Sequence, residues 1–428
     1  MSGKPAAYPV YLAMGLASAV FLQMIYTPLA VYYVQVVQLN PLQLVIIGVV
    51  LEITELVFEV PTGVVADTYS RRLSIIIGEC LIGIAFIVQG VTPLLGVILL
   101  GVVLHGIGGT FISGALQAWI ADELGEDRVR NAYLRYGQLR LAGGIVGLGI
   151  GVALGTIDLA LPIVIGGMLM LALGVVLVVV MPETGFQPAS RGERTSWSAA
   201  WHSMTVTAGD GVRLVRFTPL LSIFLLVSAV VAATGEALDR LNEAHFIRVI
   251  GFPGVIHLEP IVWFGLINLG SSLLGLLAVE AVIRRLDTST TARAANALFI
   301  INGIRLVAIV AFGLAGNFWI ALAAFWCVGL LGSVIGPIQD GWLNRSITPS
   351  VRATVFSVMG QADALGQLAG GPAIGAVGTR FGLRAAMVAA GFALSPALLL
   401  YSRARHAGEV ADPETSQARD EALRDPVE

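Results

Sequence analysis

After Lys4 this sequence has no lysine, and it has two cysteines and few charged residues of any kind. Each scarcity excludes something. A Walker-type phosphate loop needs a lysine on the nucleotide phosphates, so an ATP-driven pump contained in this chain is excluded. Cys80 and Cys327 both fall inside apolar runs and read as packing residues. No H-E-x-x-H and no Cys/His cluster has metal-binding spacing. No G-x-S-x-G elbow marks a hydrolase, and no basic domain suits nucleic acid. The chain reads as no enzyme, with no cofactor, no metal and no nucleic-acid partner.

What is present is apolar. Hydrophobic residues make up 56% of the 428 and charged residues 12%, against about 25% charged in a soluble domain. Apolar runs long enough to cross a bilayer as helices recur along the chain. Turn signals divide them into twelve candidate spans, near 9–36, 43–65, 73–91, 94–120, 133–156, 160–181, 218–247, 260–283, 295–315, 318–343, 353–377 and 382–402. The first is too long for a signal core and reads as an uncleaved span. The expected organisation is a six-helix half (1–181), a linker (182–217), a second six-helix half (218–402) and a polar tail (403–428) expected to be disordered. Within the linker, Trp197, Trp201 and Met204 at helical spacing read as a short amphipathic helix on the inner leaflet.

Basic residues orient the chain. Arg71, Arg72, Arg128, Arg130, Arg191, Arg194, Arg213, Arg216, Arg284, Arg285, Arg293, Arg345 and Arg352 fall on one side, with Lys4, Arg403 and Arg405. The other side has Arg248, Arg380 and Arg384. The positive-inside rule then places both termini in the cytoplasm.

The halves repeat. A shift of 213 carries GVVADTYSRRL (63–73) onto LLAVEAVIRRL (276–286), so Asp67 meets Glu280 and Arg71-Arg72 meets Arg284-Arg285. A shift of 223 carries Trp119 onto Trp342, Gln117 onto Asp340 and Arg140 onto Asp363. Such repeats are characteristic of secondary transporters.

Gly63-x-x-x-Asp67-x-x-x-Arg71-Arg72 resembles the signature between helices 2 and 3 of the major facilitator superfamily, with Ser70 where the family usually has Gly. The resemblance in architecture covers nearly the whole chain. It implies an all-α membrane protein, twelve transmembrane helices in two pseudo-symmetric six-helix halves, with a substrate site near mid-membrane between them. It also implies a cytoplasmic latch made by Gly63, Asp67, Arg71 and Arg72 and by their copies Glu280, Arg284 and Arg285. Asp67 is expected to reach backbone N–H groups at a neighbouring helix start. ELVFEVPTGVVAD and GEALDRLNEAHF look like bacterial drug:proton antiporter branches. The export-associated helix 5 motif is partial: Gly143, Gly147 and Gly151 are present without its proline, and Val102 stands where helix 4 of the family has an arginine.

An ionisable side chain inside a span costs at least about 2.5–3.5 kcal/mol, so each is a functional candidate. Glu52, Glu55 and Glu59 fall within about 60° of one helix face and cannot all ionise cheaply, which suits a proton carrier. Arg140 and Asp363 head small-residue stripes and should face protein. The family's placing of helix 11 against helix 2 would bring Asp363 near the glutamates. Glu236, Asp239, Arg240 and Glu243 share one flank of helix 7, as a cation site, an outer gate or a self-satisfied ion network. Tyr26, Gln117 and Asp340 join Glu236, Asp239 and Arg240 as candidate cavity residues. Tyr32, Tyr33, Trp119 and Trp342 are pocket-lining aromatics or, for the Trp pair, interfacial anchors. His105 reads as packing, and Arg305 has no assigned role.

The expected function is secondary active transport across a bacterial cytoplasmic membrane by alternating access. The partners are a small-molecule substrate, protons and the bilayer, and the chain is expected to act as a monomer. Proton-coupled efflux of an amphipathic drug or metabolite is the leading expectation. A proton-coupled importer of a polar solute and a lipid transporter are the alternatives.

Overall fold

Polar caps decide where the apolar runs begin as helices. Asn40 accepts the Gln43 N–H, the Gln43 side chain accepts the Asn40 N–H, and Pro41 follows in the first turn. Ser70, Thr290 and Asn317 each accept a backbone N–H three residues on, fixing three further starts. In a computed structural model of the protein, residues 6–186, 219–254, 258–347 and 352–411 are described.

The helices are α1 (Ala7–Gln35), α2 (Pro41–Thr68), α3 (Arg71–Val91), α4 (Leu95–Ile112), α5 (Ala115–Leu124), α6 (Glu126–Gly155), α7 (Ala160–Val180), α8 (Pro219–His245), α9 (Pro260–Arg285), α10 (Thr291–Leu314), α11 (Phe318–Ser346), α12 (Arg352–Phe381), α13 (Leu383–Ala393) and α14 (Ser395–Ala411). No strand occurs among the described residues. α4 with α5, and α13 with α14, each make one crossing, so the helices give twelve. Ten helical stretches among the described residues are long and apolar enough to span a membrane by length and composition.

The helices depart from the expected spans in three places. The fourth span breaks at Gly114, whose φ of +68° interrupts the helix between Ile112 and Ala115. The fifth begins earlier, because Glu126 and Asp127 in its first turn favour the helix N-terminus while adding nothing to the apolar pattern. The last helix continues through Ala411 into the expected tail. The linker segment with Trp197, Trp201 and Met204 lies outside the described residues.

The chain divides into two compact units, Met1–Thr205 with Gly254–Leu266, and Val206–Pro253 with Ile267–Glu428. In the first, α6 lies along α1. A Cβ on Gly143 would stand 2.8 Å from the Leu16 carbonyl oxygen, and one on Gly151 2.7 Å from that of Met24. Gly147 meets the Val20 carbonyl between them. In the second, Gly366 and Gly370 bring α12 against Ala229 and Ala233 of α8. Where helix association lacks a hydrophobic drive, this close packing of small residues supplies the contact.

The same repetition appears in the aromatics. Trp119 packs on Tyr11 with centroids 6.4 Å apart, and Trp342 on Phe224 at 4.5 Å. Both tryptophans are buried. Trp119 donates to the Pro182 carbonyl at 2.8 Å and Trp342 to the Thr291 hydroxyl at 3.3 Å. They are core residues of their units. α8 ends in a wide turn, Phe246–Ile250, where Phe246 meets Phe312, Phe318 and Phe325, and His245 bonds the Phe312 carbonyl at 3.1 Å.

Candidate functional site

The short turn after α2 carries the charged motif. Ser70, in place of the expected glycine, is extended and caps α3 through the Leu73 N–H at 2.9 Å. Glu183, from the segment after α7, accepts the Ser70 hydroxyl at 2.6 Å and the Arg72 N–H at 2.9 Å. Asp67 was expected at that helix start, but it is 70% exposed and lies 3.9 Å from Arg71. The geometry gives the helix start to Ser70 and Glu183, because the Asp67 side chain leaves α2 before the turn. Arg71 forms its ion pair with Asp122 of α5, donates to the Ala118 carbonyl at 3.0 Å and lies over Phe186. Arg72 donates to the Val178 carbonyl. Around Gly63 no described atom lies within 4 Å of where a Cβ would stand.

Residues 182–186 form a strap on this cluster. Glu123 accepts the N–H groups of Thr184 and Gly185 and the Thr184 hydroxyl, while Pro182 holds Trp119. Asp122, Glu123 and Glu183 are absent from the sequence-based candidates. Their signal was an acidic cluster at a span end and a lone acid after another, without any spacing that links them to the arginines.

Along α2, Glu52 and Glu55 are half-buried and Glu59 is exposed. The charges of Glu52 and Glu59 both act on Glu55, so the stripe forms one electrostatic group. Glu55 faces Gly109 of α4, its Oε1 standing 3.7 Å from where a Cβ would lie. Tyr26 is 43% exposed, and its hydroxyl lies 3.1 Å from His105 Nε2, with Phe86 edge-on to the Tyr26 ring. His105 is thus part of the Tyr26 group. Tyr32 and Tyr33 are buried and bonded to Gln89. Gln117 is exposed, and its carbonyl accepts the Tyr133 hydroxyl at 3.1 Å.

Arg140 is exposed on α6. Its guanidinium lies 5.7 Å from the Tyr136 ring, and Tyr136 stacks on Tyr11 at 4.3 Å. The charge of Arg140 acts on Glu79, a carboxyl of α3 that is 3% exposed. Glu79 is a further residue absent from the sequence-based candidates, although a carboxylate in an apolar run is the signal that singled out α2.

In the second unit, Glu236 is buried and pairs with Arg240 at 2.9 Å. Asp239 acts electrostatically on Arg305, and Tyr401 belongs to the same group. Glu243 belongs to the same group through Asp239 and Arg240. Asp363 accepts from Ser228 at 3.3 Å and from Gln367 at 3.1 Å. Asp340 and Arg285 are exposed. Glu280 pairs with Arg284 one turn along α9, with both side chains in solvent. Beyond them Asp287 pairs with Arg293. Hydrogen bonds from the Ser289 backbone and hydroxyl, with Arg293, hold the Asp287 carboxyl below its ordinary range. An open, largely apolar groove of about 570 Å³ between α9 and α11 is lined by Leu276 and Val279 together with Ser271, Ser272, Ser333 and two glycines, and reaches Glu280.

The chain is 22% identical over 381 residues to the uncharacterized MFS-type transporter YxaM of Bacillus subtilis (strain 168), covering 88% of this chain and 91% of that protein. Its fold is similar to that of the nucleoside transporter NupG, with a TM-score of 0.73 at 15% identity over 94% of this chain and 99% of that one. The peptide transporter POT in complex with sulfate gives 0.70 at 16% identity, over 96% of each chain. A bacterial homolog of the human lysosomal transporter Spinster, inward-facing and occupied, gives 0.68 at 16% over 94% of this chain and 96% of that one. The family model described as Major Facilitator Superfamily matches residues 12–301, more than half of the sequence. With twelve helical crossings and this match, the chain belongs to the Major Facilitator Superfamily and is a multi-pass membrane transporter of small molecules.

Proposed function

We propose that this transporter exports an amphipathic drug or metabolite in exchange for protons, across a bacterial cytoplasmic membrane with both termini inside. The observation that carries the proton coupling is the α2 stripe. Three carboxylates share one face of a membrane helix, and the middle one, Glu55, feels both neighbours. Like charges in a poorly hydrated site cannot all stay ionised, so such a group takes up and releases protons as its surroundings change. Arg140 and Asp363 are the charged residues of α6 and α12 assigned to the same task.

Gly63, Asp67, Arg71 and Arg72 act as the cytoplasmic latch, with Asp122 as the anion that receives Arg71. Glu280, Arg284 and Arg285 are its weaker copy, exposed and paired only along one helix. Tyr26, Gln117, Glu236, Asp239, Arg240 and Asp340 are the proposed substrate-facing residues. Substrate moves only because it binds the two conformations with different affinity.

Everted membrane vesicles holding a proton gradient test this reading. A panel of dyes and antibiotics is added and gradient dissipation is followed for the native protein and for Glu55→Gln. Dissipation by some compound, lost in the variant, is expected. No response to any compound, in protein shown to be folded, overturns proton-coupled export.

A second reading, uptake of a polar solute, is supported by the Glu236–Arg240 ion pair of α8, whose carboxylate is buried. Under it, Glu236→Gln abolishes uptake of a nucleoside or short peptide from a panel, while the dyes have no effect.

A further inference from the structure

We propose that Glu79 is a second proton-binding carboxyl of the transport cycle, gated by Arg140. The inference rests on the proton-coupled reading above and adds a site in the first unit, apart from the α2 stripe.

Glu79 is 3% exposed, on the face of α3 that meets α1. Its Oε1 accepts the Ser18 hydroxyl at 3.1 Å. Its Oε2 is buried and has no hydrogen-bond partner among the described residues. An ionised carboxylate with one bare oxygen in a dry site is costly, whereas a protonated one carries its hydrogen on that oxygen. The atom left bare is therefore the one the proton occupies.

Among the described residues the surroundings leave one counter-charge. α7 carries no ionisable side chain. α4 carries only His105, which is engaged with Tyr26. On α5, Asp122 and Glu123 are committed to Arg71 and to residues 184–185. Glu55 of α2 is directed at Gly109. On α3 itself, Cys80 is adjacent, and Arg71 and Arg72 are held at the helix start. α1 brings Ser18, while Tyr11 of α1 stands with Tyr133, Tyr136 and Arg140 of α6. Arg140 is the cation whose charge reaches Glu79. In this conformation it is turned to the Tyr136 hydroxyl, 3.4 Å away, and over the Tyr136 ring.

Two arrangements follow. With Arg140 on Tyr136, the proton sits on Glu79 Oε2. When the exposed Arg140 side chain swings onto Glu79, the carboxylate ionises, the ion pair forms and the proton leaves to water. Gly15, which leaves room for the Tyr136 ring beside α1, keeps the tyrosine available as the alternative seat.

The full-length protein in liposomes gives two readouts. Infrared difference spectra across about pH 5–9, the range around a perturbed carboxyl, are recorded for native protein and Glu79→Gln. A protonated-carboxyl band that titrates in the native protein and is missing from the variant is expected. Superimposable difference spectra overturn the proposal. If Glu79→Gln does not fold, Ser18→Ala and Arg140→Gln replace it: a displaced band supports the site, and an unchanged one overturns it. The second readout uses ethidium as probe. Glu79→Gln should lower proton-driven ethidium export by about tenfold or more while ethidium exchange continues. Equal proton-driven export in the variant overturns the coupling role. Native protein that moves no ethidium under a gradient speaks against the export reading instead, and the infrared bands then decide Glu79 alone.

Discussion

Glu183 holds the start of α3 by two bonds, one to a hydroxyl and one to a backbone N–H. Helix starts leave N–H groups without partners, and a carboxylate there satisfies them and meets the positive end of the helix dipole. Glu183→Ala should therefore cost about 1–2 kcal/mol. Thermal unfolding in detergent would register this as a lower midpoint, and an unchanged midpoint would show that Ser70 caps the helix alone. Asp122→Asn should lower stability less, since exposed or half-exposed pairs contribute about 1 kcal/mol or below. It should change transport rate more, as the seat of Arg71 in the proposed latch. At this scale the sequence shows the motif but not its partners. Asp67, Arg71 and Arg72 are legible because their spacing is local. Asp122 and Glu183 come from other helices, and only the folded chain brings them to the turn. Glu79 was legible by composition alone, but it has no second carboxylate on its own helix to draw attention to it.

The α6–α1 contact depends on the absence of side chains at three positions one turn apart. Gly147→Leu would drive a side chain into the Val20 carbonyl, and overpacking of this kind costs about 1–3 kcal/mol or more. Gly144→Ala meets nothing within 4 Å among the described residues and should leave stability unchanged. Comparing the two by melting in detergent separates close packing from general intolerance of α6. The α9–α10 connection yields a prediction of the opposite sort. The Asp287 carboxyl is held below its ordinary range, so it stays ionised at neutral pH. The contribution of its bonds is present above the ordinary aspartate range and is lost only as pH falls through the lowered value. Asp287→Asn should therefore leave the pH profile of transport unchanged between about pH 5 and 8. A profile that moves would place a coupling group in that loop. Helix existence was legible from the length of the apolar runs and the turn signals between them. The break at Gly114 was not, because one glycine among many gives no sign of which adopts positive φ. The early start of α6 was hidden for a related reason: its first turn, with Glu126 and Asp127, extends no apolar run.

As a whole molecule, the chain repeats one helical plan twice. Tyr11 with Trp119 and Phe224 with Trp342 fill matching places, as do the glycines of α6 and α12. The sequence repeat at Asp67 and Glu280 is real in position but unequal in bonding, since Arg71 is held by another helix and Arg284 only by its own. Under the proposed proton coupling the α2 carboxylates drive transport, and the most direct test uses purified protein in liposomes with an acid interior. Ethidium and a set of amphipathic cations are supplied outside, with and without a protonophore. We expect at least one compound to accumulate above equilibrium, protonophore to abolish the accumulation, and Glu55→Gln to retain only downhill movement. Downhill movement of the compounds by folded native protein, indifferent to the proton gradient, would contradict proton-driven export.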